Sequence, residues 1–431
     1  MLSSVLFLRL WQASAGLLTT LLVVYFLTPE LQGWYYSFLS VVALYTLFDL
    51  GLSTVLVQVS AHAAVGMRWG NNLSCSGEGA VIFNALLGKA LRWYLLLSVV
   101  FILLVLPCGY LFFSRQGSDV SWRWPWGLLC LANAAGLIVM PFLAVLEGAG
   151  QIAAVYRVRL LQAILGSLAC WAMLACGAEL WAASMVALLA ATTTFGWLLV
   201  RARSLLVTAW EQRGSVYDWR AEIWPLQWRM AVSWLCGYML TQINIPILFH
   251  MQGAVLAGQF GLSLAVVNTL GLVCQSWFTR HVPLMAQAVV SRDWKRFDDV
   301  FFQDLVQSIA VFATGAFALL AGYQLFIRSP LVSRLLPFWP FAGLLVYAFV
   351  SLLVSAWATH LRSFRREPLL PLILFCTLLI VPGVLVATRL YSIYGMIAVL
   401  SMVYLLILLP LSWFIWRRCN RDWRLPCTKH C

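Results

Sequence analysis

Charge is what this 431-residue chain has least of: Asp, Glu, Lys and Arg make up 10% of it and hydrophobic residues 63%. Soluble domains carry about a quarter charged residues, so there is too little polar side chain here to clothe a water-exposed surface. Acids are the scarcer sign, 15 against 28 Lys and Arg, which gives a formal net charge of +13. Motifs of phosphate and metal chemistry are missing too. No G-x-x-x-x-G-K-[ST] loop occurs, because NALLGKA around Gly88 and Lys89 lacks the first glycine and the hydroxyl. H-E-x-x-H, G-x-S-x-G and paired C-x-x-C are absent as well. These absences argue against ATP hydrolysis, and they leave no expected metal or cofactor. Of 11 cysteines, seven lie in apolar segments, where Cys acts as a small hydrophobe. The tail set Cys419, Cys427, His430 and Cys431 matches no zinc spacing.

What the chain has instead is about twelve apolar stretches, each near the ~20 residues that cross ~30 Å of hydrocarbon. They run approximately over 5–27, 34–58, 93–113, 125–146, 160–177, 180–200, 230–250, 256–278, 305–326, 339–359, 369–388 and 393–415. The expected fold class is therefore all-α, a polytopic membrane protein. Positive residues alternate between the gaps. Only Arg115, Arg123, Arg328, Arg334 and Arg389 lie in one set; the other 23 of 28 fall in the set that holds both termini. Short loops rich in Lys and Arg stay on the cytoplasmic side, so both termini are expected there and the helix count is expected to be even. The same placement accounts for the +13 without any nucleic acid, for which no motif is present.

Two gaps are longer than the rest, 59–92 and 201–229. The second lies near the middle and divides the chain into an expected N-terminal six-helix lobe (1–205), a cytoplasmic linker (206–229), a C-terminal six-helix lobe (230–416) and a cytoplasmic tail (417–431). Weak repetition agrees: GWYYSFLSVV from Gly33 falls on GQFGLSLAVV from Gly258, 225 residues later. Each opens the second helix of its half. Two six-helix halves of like orientation suit an axis along the membrane normal. Outer gaps of only about a dozen residues leave no seat for a catalytic domain, so the chain reads as a non-enzyme.

Chemistry then rests on polar residues inside the apolar stretches. Arg9, Gln12, Gly16 and Thr19 share one face of the first helix by their spacing. Ser233, Gly237, Thr241 and Asn244 do the same in the seventh, with Gln242 beside them. The second helix offers Thr46, Asp49 and Ser53, and the eighth Asn268, Gly271 and Gln275. Small and hydroxyl residues also serve simply to pack membrane helices. Asp49 differs, since an ionised carboxylate at helix depth costs ~2.5 to 3.5 kcal/mol. It requires a cavity, a proton or a cationic partner such as an Arg from another helix.

The segment FLTPELQGWYYSFLSVVALYTLFDLGLSTVLVQVSAH, from Phe26 to His62, resembles the second-helix region of Wzx-type O-antigen flippases of the multidrug/oligosaccharidyl-lipid/polysaccharide exporter superfamily. LEGAGQI (146–152), GAVLAGQFGLSLAV (253–266) and HLRSFRREPLL (360–370) are similar to further landmarks of that family, in the same order. Two departures stand out. The extra helix pair of the peptidoglycan-precursor relatives is not matched, and Gln242 stands where many relatives have Asp. The resemblance implies alternating-access transfer of an undecaprenyl-diphosphate-type lipid-linked oligosaccharide across the bacterial inner membrane, from the cytoplasmic to the periplasmic leaflet, in company with other polysaccharide-assembly proteins. It also implies Arg9, with Arg229 and Arg280 at the entrance, as cations for the diphosphate. Gln12, Gln242, Asn244, Asn268 and Gln275 would bond sugar hydroxyls. Two alternatives stand beside it: a drug or small-cation antiporter of the same fold, which would use Asp49 as its acid, and a polysaccharide polymerase or ligase, which the short outer gaps disfavour.

Overall fold

The computed structural model describes residues 2–70, 73–117, 119–211, 223–364 and 367–424. It is almost entirely helical, as an apolar chain must be when its backbone groups have no water to bond. By packing, the chain divides into two compact units, Met1–Pro246 and Ile247–Cys431.

The first unit opens with α1 (Leu2–Phe26). Thr28 then caps the next helix, accepting from the Leu31 N–H at 3.2 Å, with Pro29 in the first helical position, where its missing N–H costs nothing. The second membrane segment is built from three pieces, α2 (Pro29–Val42), α3 (Tyr45–Asp49) and α4 (Leu52–Ala63). A two-stranded hairpin follows, β1 (Arg68–Trp69) with β2 (Cys75–Ser76). Then come α5 (Glu78–Ser114), α6 (Arg123–Gly148), α7 (Ile152–Ala175), α8 (Trp181–Arg201), α9 (Arg203–Glu211) and α10 (Trp224–Thr241). Where α5 meets α6, Trp34, Phe38, Phe113 and Trp126 form a buried aromatic cluster. Gly109 makes room for it, since any Cβ there would enter the Trp126 indole, whose N–H donates to the Leu106 carbonyl at 3.1 Å.

A short helix, α11 (Asn244–Gln252), leads into the second unit, which continues with α12 (Ala254–Ser291), α13 (Trp294–Leu325), α14 (Pro330–Ser333), α15 (Phe338–Arg362), α16 (Leu370–Val403), a π-helical turn at Tyr404–Leu408, and α17 (Leu409–Asp422). Its second helix begins 225 residues after that of the first unit, Ala254 against Pro29, the offset of the sequence repeat. His360 of α15 is buried among the rings of Phe297, Phe301, Phe364 and Trp416.

Among the described residues eleven helices are long and apolar enough to cross a membrane, and this is a multi-pass membrane protein. The last of them, Leu370–Asp422, has 53 residues, about 80 Å of helix against ~30 Å of hydrocarbon. It contains a non-helical break at Tyr391 and Ser392 and so holds the eleventh and twelfth expected segments.

Several expectations are corrected in detail. The gap at 59–92 is mostly not loop: α5 starts at Glu78, so Lys89 and Arg92 ride on a helical extension. α5, α12 and α13 have 37, 38 and 32 residues, and their charged ends continue the helix where a hydropathy window stops. The seventh segment is not one helix, because it breaks at Gln242 and Ile243. Asn244 opens the helix that follows the break. Residues 212–222 of the expected linker, and Cys427, His430 and Cys431 of the tail, lie outside the described residues.

Candidate functional site

Two interrupted helices meet in the first unit. In the second segment, Leu50 and Gly51 adopt left-handed backbone, with φ of 47° and 71°. Gly51 is required there twice over, since a Cβ would also lie 2.7 Å from the Trp234 indole nitrogen of α10. The seventh segment breaks alongside. Ser40 donates its hydroxyl to the Gln242 carbonyl, which has no N–H to accept from four residues on because residue 246 is proline, and the Tyr238 hydroxyl donates back to the Ser40 carbonyl at 3.4 Å. The Asn244 side-chain amide bridges the gap by donating to the Leu240 carbonyl at 3.0 Å. Irregular backbone at membrane depth survives only where protein buries it or a cavity solvates it, and here Ser40, Asp49 and Asn244 are all buried.

Asp49 closes the first of these breaks. Its carboxylate accepts from the Ser53 N–H at 3.2 Å, from the Ser53 hydroxyl at 2.8 Å and from the Tyr94 hydroxyl of α5. Of the cavity, proton or cationic partner expected for it, the last is not seen: among the described residues no Lys, Arg or His pairs with it. The carboxylate also satisfies a free N–H at the start of α4.

Beyond Ser53 opens a cavity of about 660 Å³, within the range of ligand sites. Its polar lining comes from Gln12 of α1, Tyr45 of α3, Ser53 and Thr54 of α4, Glu147 of α6, and Arg159 and Gln162 of α7; Leu143, Val186 and other apolar side chains complete it. Arg159 pairs with Glu147 at 2.7 Å, and its guanidinium lies 5.2 Å from the centre of the Tyr156 ring. Gln162 donates to the Ala190 carbonyl at 3.2 Å and to the Thr194 hydroxyl, which fixes the amide against α8. Half of the lining residues are apolar, so the polar groups stand in an otherwise apolar wall.

The sequence-derived residues distribute unevenly over this geometry. Gln12 lines the cavity, and Asp49 stands one hydrogen bond behind its wall. Arg9 is exposed three residues before Gln12 and is not part of the lining. Gln242 and Asn244 belong to the broken seventh segment, and Asn244 is already bonded to its own helix. Arg229 lies on α10 with its side chain outside the described residues. Asn268, Gln275 and Arg280 are exposed along α12 of the second unit. Tyr45, Glu147, Arg159 and Gln162 were not singled out from sequence for binding. Glu147 lies within the landmark LEGAGQI, and Arg159 is one of the 23 cations that fall in the set of gaps holding both termini.

No family model and no curated protein matches the chain. Solved structures do. An inward-facing multidrug resistance MATE family transporter of the MOP superfamily shares 15% identity at a TM-score of 0.63, over 95% of this chain and 96% of that one. A MOP superfamily transporter from Pyrococcus furiosus shares 13% at 0.54, over 98% and 95%. A MATE protein in the bent conformation shares 14% at 0.52, over 98% and 95%. The chain thus has the two-lobed fold of MATE-type transporters.

Proposed function

We propose that this protein is a membrane transporter that carries a polyprenyl-diphosphate-linked oligosaccharide from the cytoplasmic to the periplasmic leaflet of a bacterial inner membrane. The observation that carries this reading is the character of the cavity. Among apolar side chains it presents amides, hydroxyls and a paired Glu147 and Arg159, and Asp49 behind its wall already holds three hydrogen bonds. A receptor for lipophilic cations would instead offer an unpaired acid among aromatic walls. Each sugar hydroxyl carried bare into hydrocarbon costs ~2 to 7 kcal/mol, and the cavity supplies replacement partners while the lipid tail remains in the bilayer. Arg9, Arg229 and Arg280 are the candidate cations for the diphosphate; Gln12, Gln242, Asn244, Asn268 and Gln275 are the candidate sugar partners.

The second reading, a drug or small-cation antiporter, is favoured by the likeness to multidrug MATE structures. It needs Asp49 to leave Tyr94 and Ser53 during the cycle. Deletion in the native host separates the two. On the flippase reading, lipid-linked repeat units accumulate on the cytoplasmic leaflet and surface polysaccharide is lost. Normal polysaccharide with raised drug sensitivity supports the antiporter, and single repeat units at the surface would indicate a polymerase.

A further inference from the structure

In the second unit a histidine and an aspartate form a pair that the cavity chemistry does not use. His281 of α12 bonds through Nδ1 to the Asp304 Oδ1 of α13 at 2.8 Å. The Asp304 side chain is 1% exposed and that of His281 24%. The second carboxylate oxygen, Asp304 Oδ2, is buried with no hydrogen-bond partner. A sealed acid therefore has one bonded and one bare oxygen, and its single outlet is an imidazole that reaches the surface.

Position adds to this. α12 and α13 have 38 and 32 residues, about 57 and 48 Å of helix, longer than the ~30 Å hydrocarbon layer. His281 and Asp304 each lie about 15 Å from the turn that joins the two helices, where a membrane helix meets its aqueous border. We propose that the His281 and Asp304 pair is a proton-binding site, taking up one proton from water through His281 and so neutralising a buried carboxylate. The purpose given to that proton, coupling a pH difference to the cycle, rests on the transport reading; the binding itself does not.

The surroundings favour a proton over a metal cation. Arg280, adjacent to His281, is exposed, and its charge opposes any added cation, a proton included, so the choice between them rests on the ligand set. Among the described residues no group of three His, Cys, Asp or Glu forms a metal cage. Of the other charged or titratable groups packed nearby, Asp298 of α13 is held by Arg424 beyond α17, through a contact of 2.6 Å and a second shorter one. His360 of α15 sits between Phe297 and Phe301, and Asp299 lies one turn before Asp304 and one residue past Asp298. On the other side Ser308 donates to the Cys274 carbonyl at 2.9 Å, not to Asp304. Among the described residues, then, Oδ2 has no hydrogen-bond partner and Oδ1 has His281.

The test uses the full chain in lipid nanodiscs without any solute. Nitrogen NMR of the histidine rings is followed from about pH 5 to about pH 8, together with hydrogen exchange of α12 and α13 corrected for intrinsic rates. The expected result is a His281 titration that shifts in Asp304→Asn, with a pH-dependent protection of the two helices that is lost in Asp304→Asn and His281→Gln and restored in part by Asp304→Glu. His281→Gln retains a donor for Asp304 and guards against a variant that fails to fold. Identical His281 titration in wild type and Asp304→Asn, or protection that does not respond to pH, overturns the proposal. So does protection induced at constant pH by sodium, which would make the occupant a metal cation. None of these outcomes depends on the solute, so a failed oligosaccharide assignment is distinguishable from a failed proton site.

Discussion

Tyr94 of α5 donates its hydroxyl proton to the carboxylate of Asp49, 45 residues earlier, at the point where the second membrane segment leaves the helical path. That bond ties the break to a neighbouring helix. Hydrogen bonds to charged groups are worth ~1.5 to 3 kcal/mol, so Tyr94→Phe should lower stability by an amount in that range. Asp49→Ala should lower it further, because Ser53 loses its partner as well. Thermal unfolding in detergent, followed by size-exclusion chromatography, measures both; an unchanged melting point in Tyr94→Phe would remove the assigned role.

Gly51 carries two constraints that can be separated. Left-handed backbone costs a non-glycine residue ~1 to 2 kcal/mol, and a Cβ at position 51 would also collide with Trp234. Gly51→Ala should therefore destabilise by more than the backbone cost alone. Trp234→Ala should relieve the excess in the double variant and leave the backbone cost. Additive effects in a double-mutant cycle would show that the two residues do not meet.

Arg424 grips Asp298 with its two terminal guanidinium nitrogens and lies 5.5 Å from the Trp294 ring centre. The pair is only part-buried, with side chains 20% and 32% exposed, so solvent screening reduces its worth to about 1 kcal/mol. Arg424→Ala should give a loss of that size, diminishing at high salt. Stability followed across a salt series checks it; a loss that salt leaves unchanged would indicate packing rather than charge.

In the cavity, Arg159 and Glu147 neutralise each other. Glu147→Gln leaves Arg159 as a lone cation, and Arg159→Gln leaves a part-buried acid. If the solute carries hydroxyls and a diphosphate, Arg159→Gln should reduce transport more than Glu147→Gln does, at equal expression. The reverse order would favour a cationic solute. Surface polysaccharide yield in a complemented deletion strain reads the difference.

Much of the membrane architecture was legible because hydropathy acts locally: the apolar runs are helical throughout most of their length, and the Thr28 and Pro29 start is a local capping signal. The first break was not legible, whereas Pro246, which offers the Gln242 carbonyl no N–H, is a local signal for the second. Gly51 reads as an ordinary small residue until Trp234, far along the chain, is seen against it, and the Gln242 break is secured by Ser40. Charged helix extensions read as loops in sequence because a hydropathy window ends at Lys89 or Arg92 whether or not the backbone turns. The site was half legible. Gln12 and Ser53 showed as polar residues on apolar faces, whereas Arg159 was hidden by its second use as a topology signal, and the pairing of Asp49 with Tyr94 has no signature in spacing.

The central claim is best tested with the purified full chain reconstituted into vesicles whose inner leaflet holds a fluorescent polyprenyl-diphosphate oligosaccharide. The account predicts that the labelled headgroup becomes accessible to an outside quencher faster than in protein-free vesicles, and that Gln12→Leu with Gln162→Leu slows this transfer while the protein remains folded. Transfer no faster than in protein-free vesicles, in a preparation that does export a lipophilic cation, would contradict it.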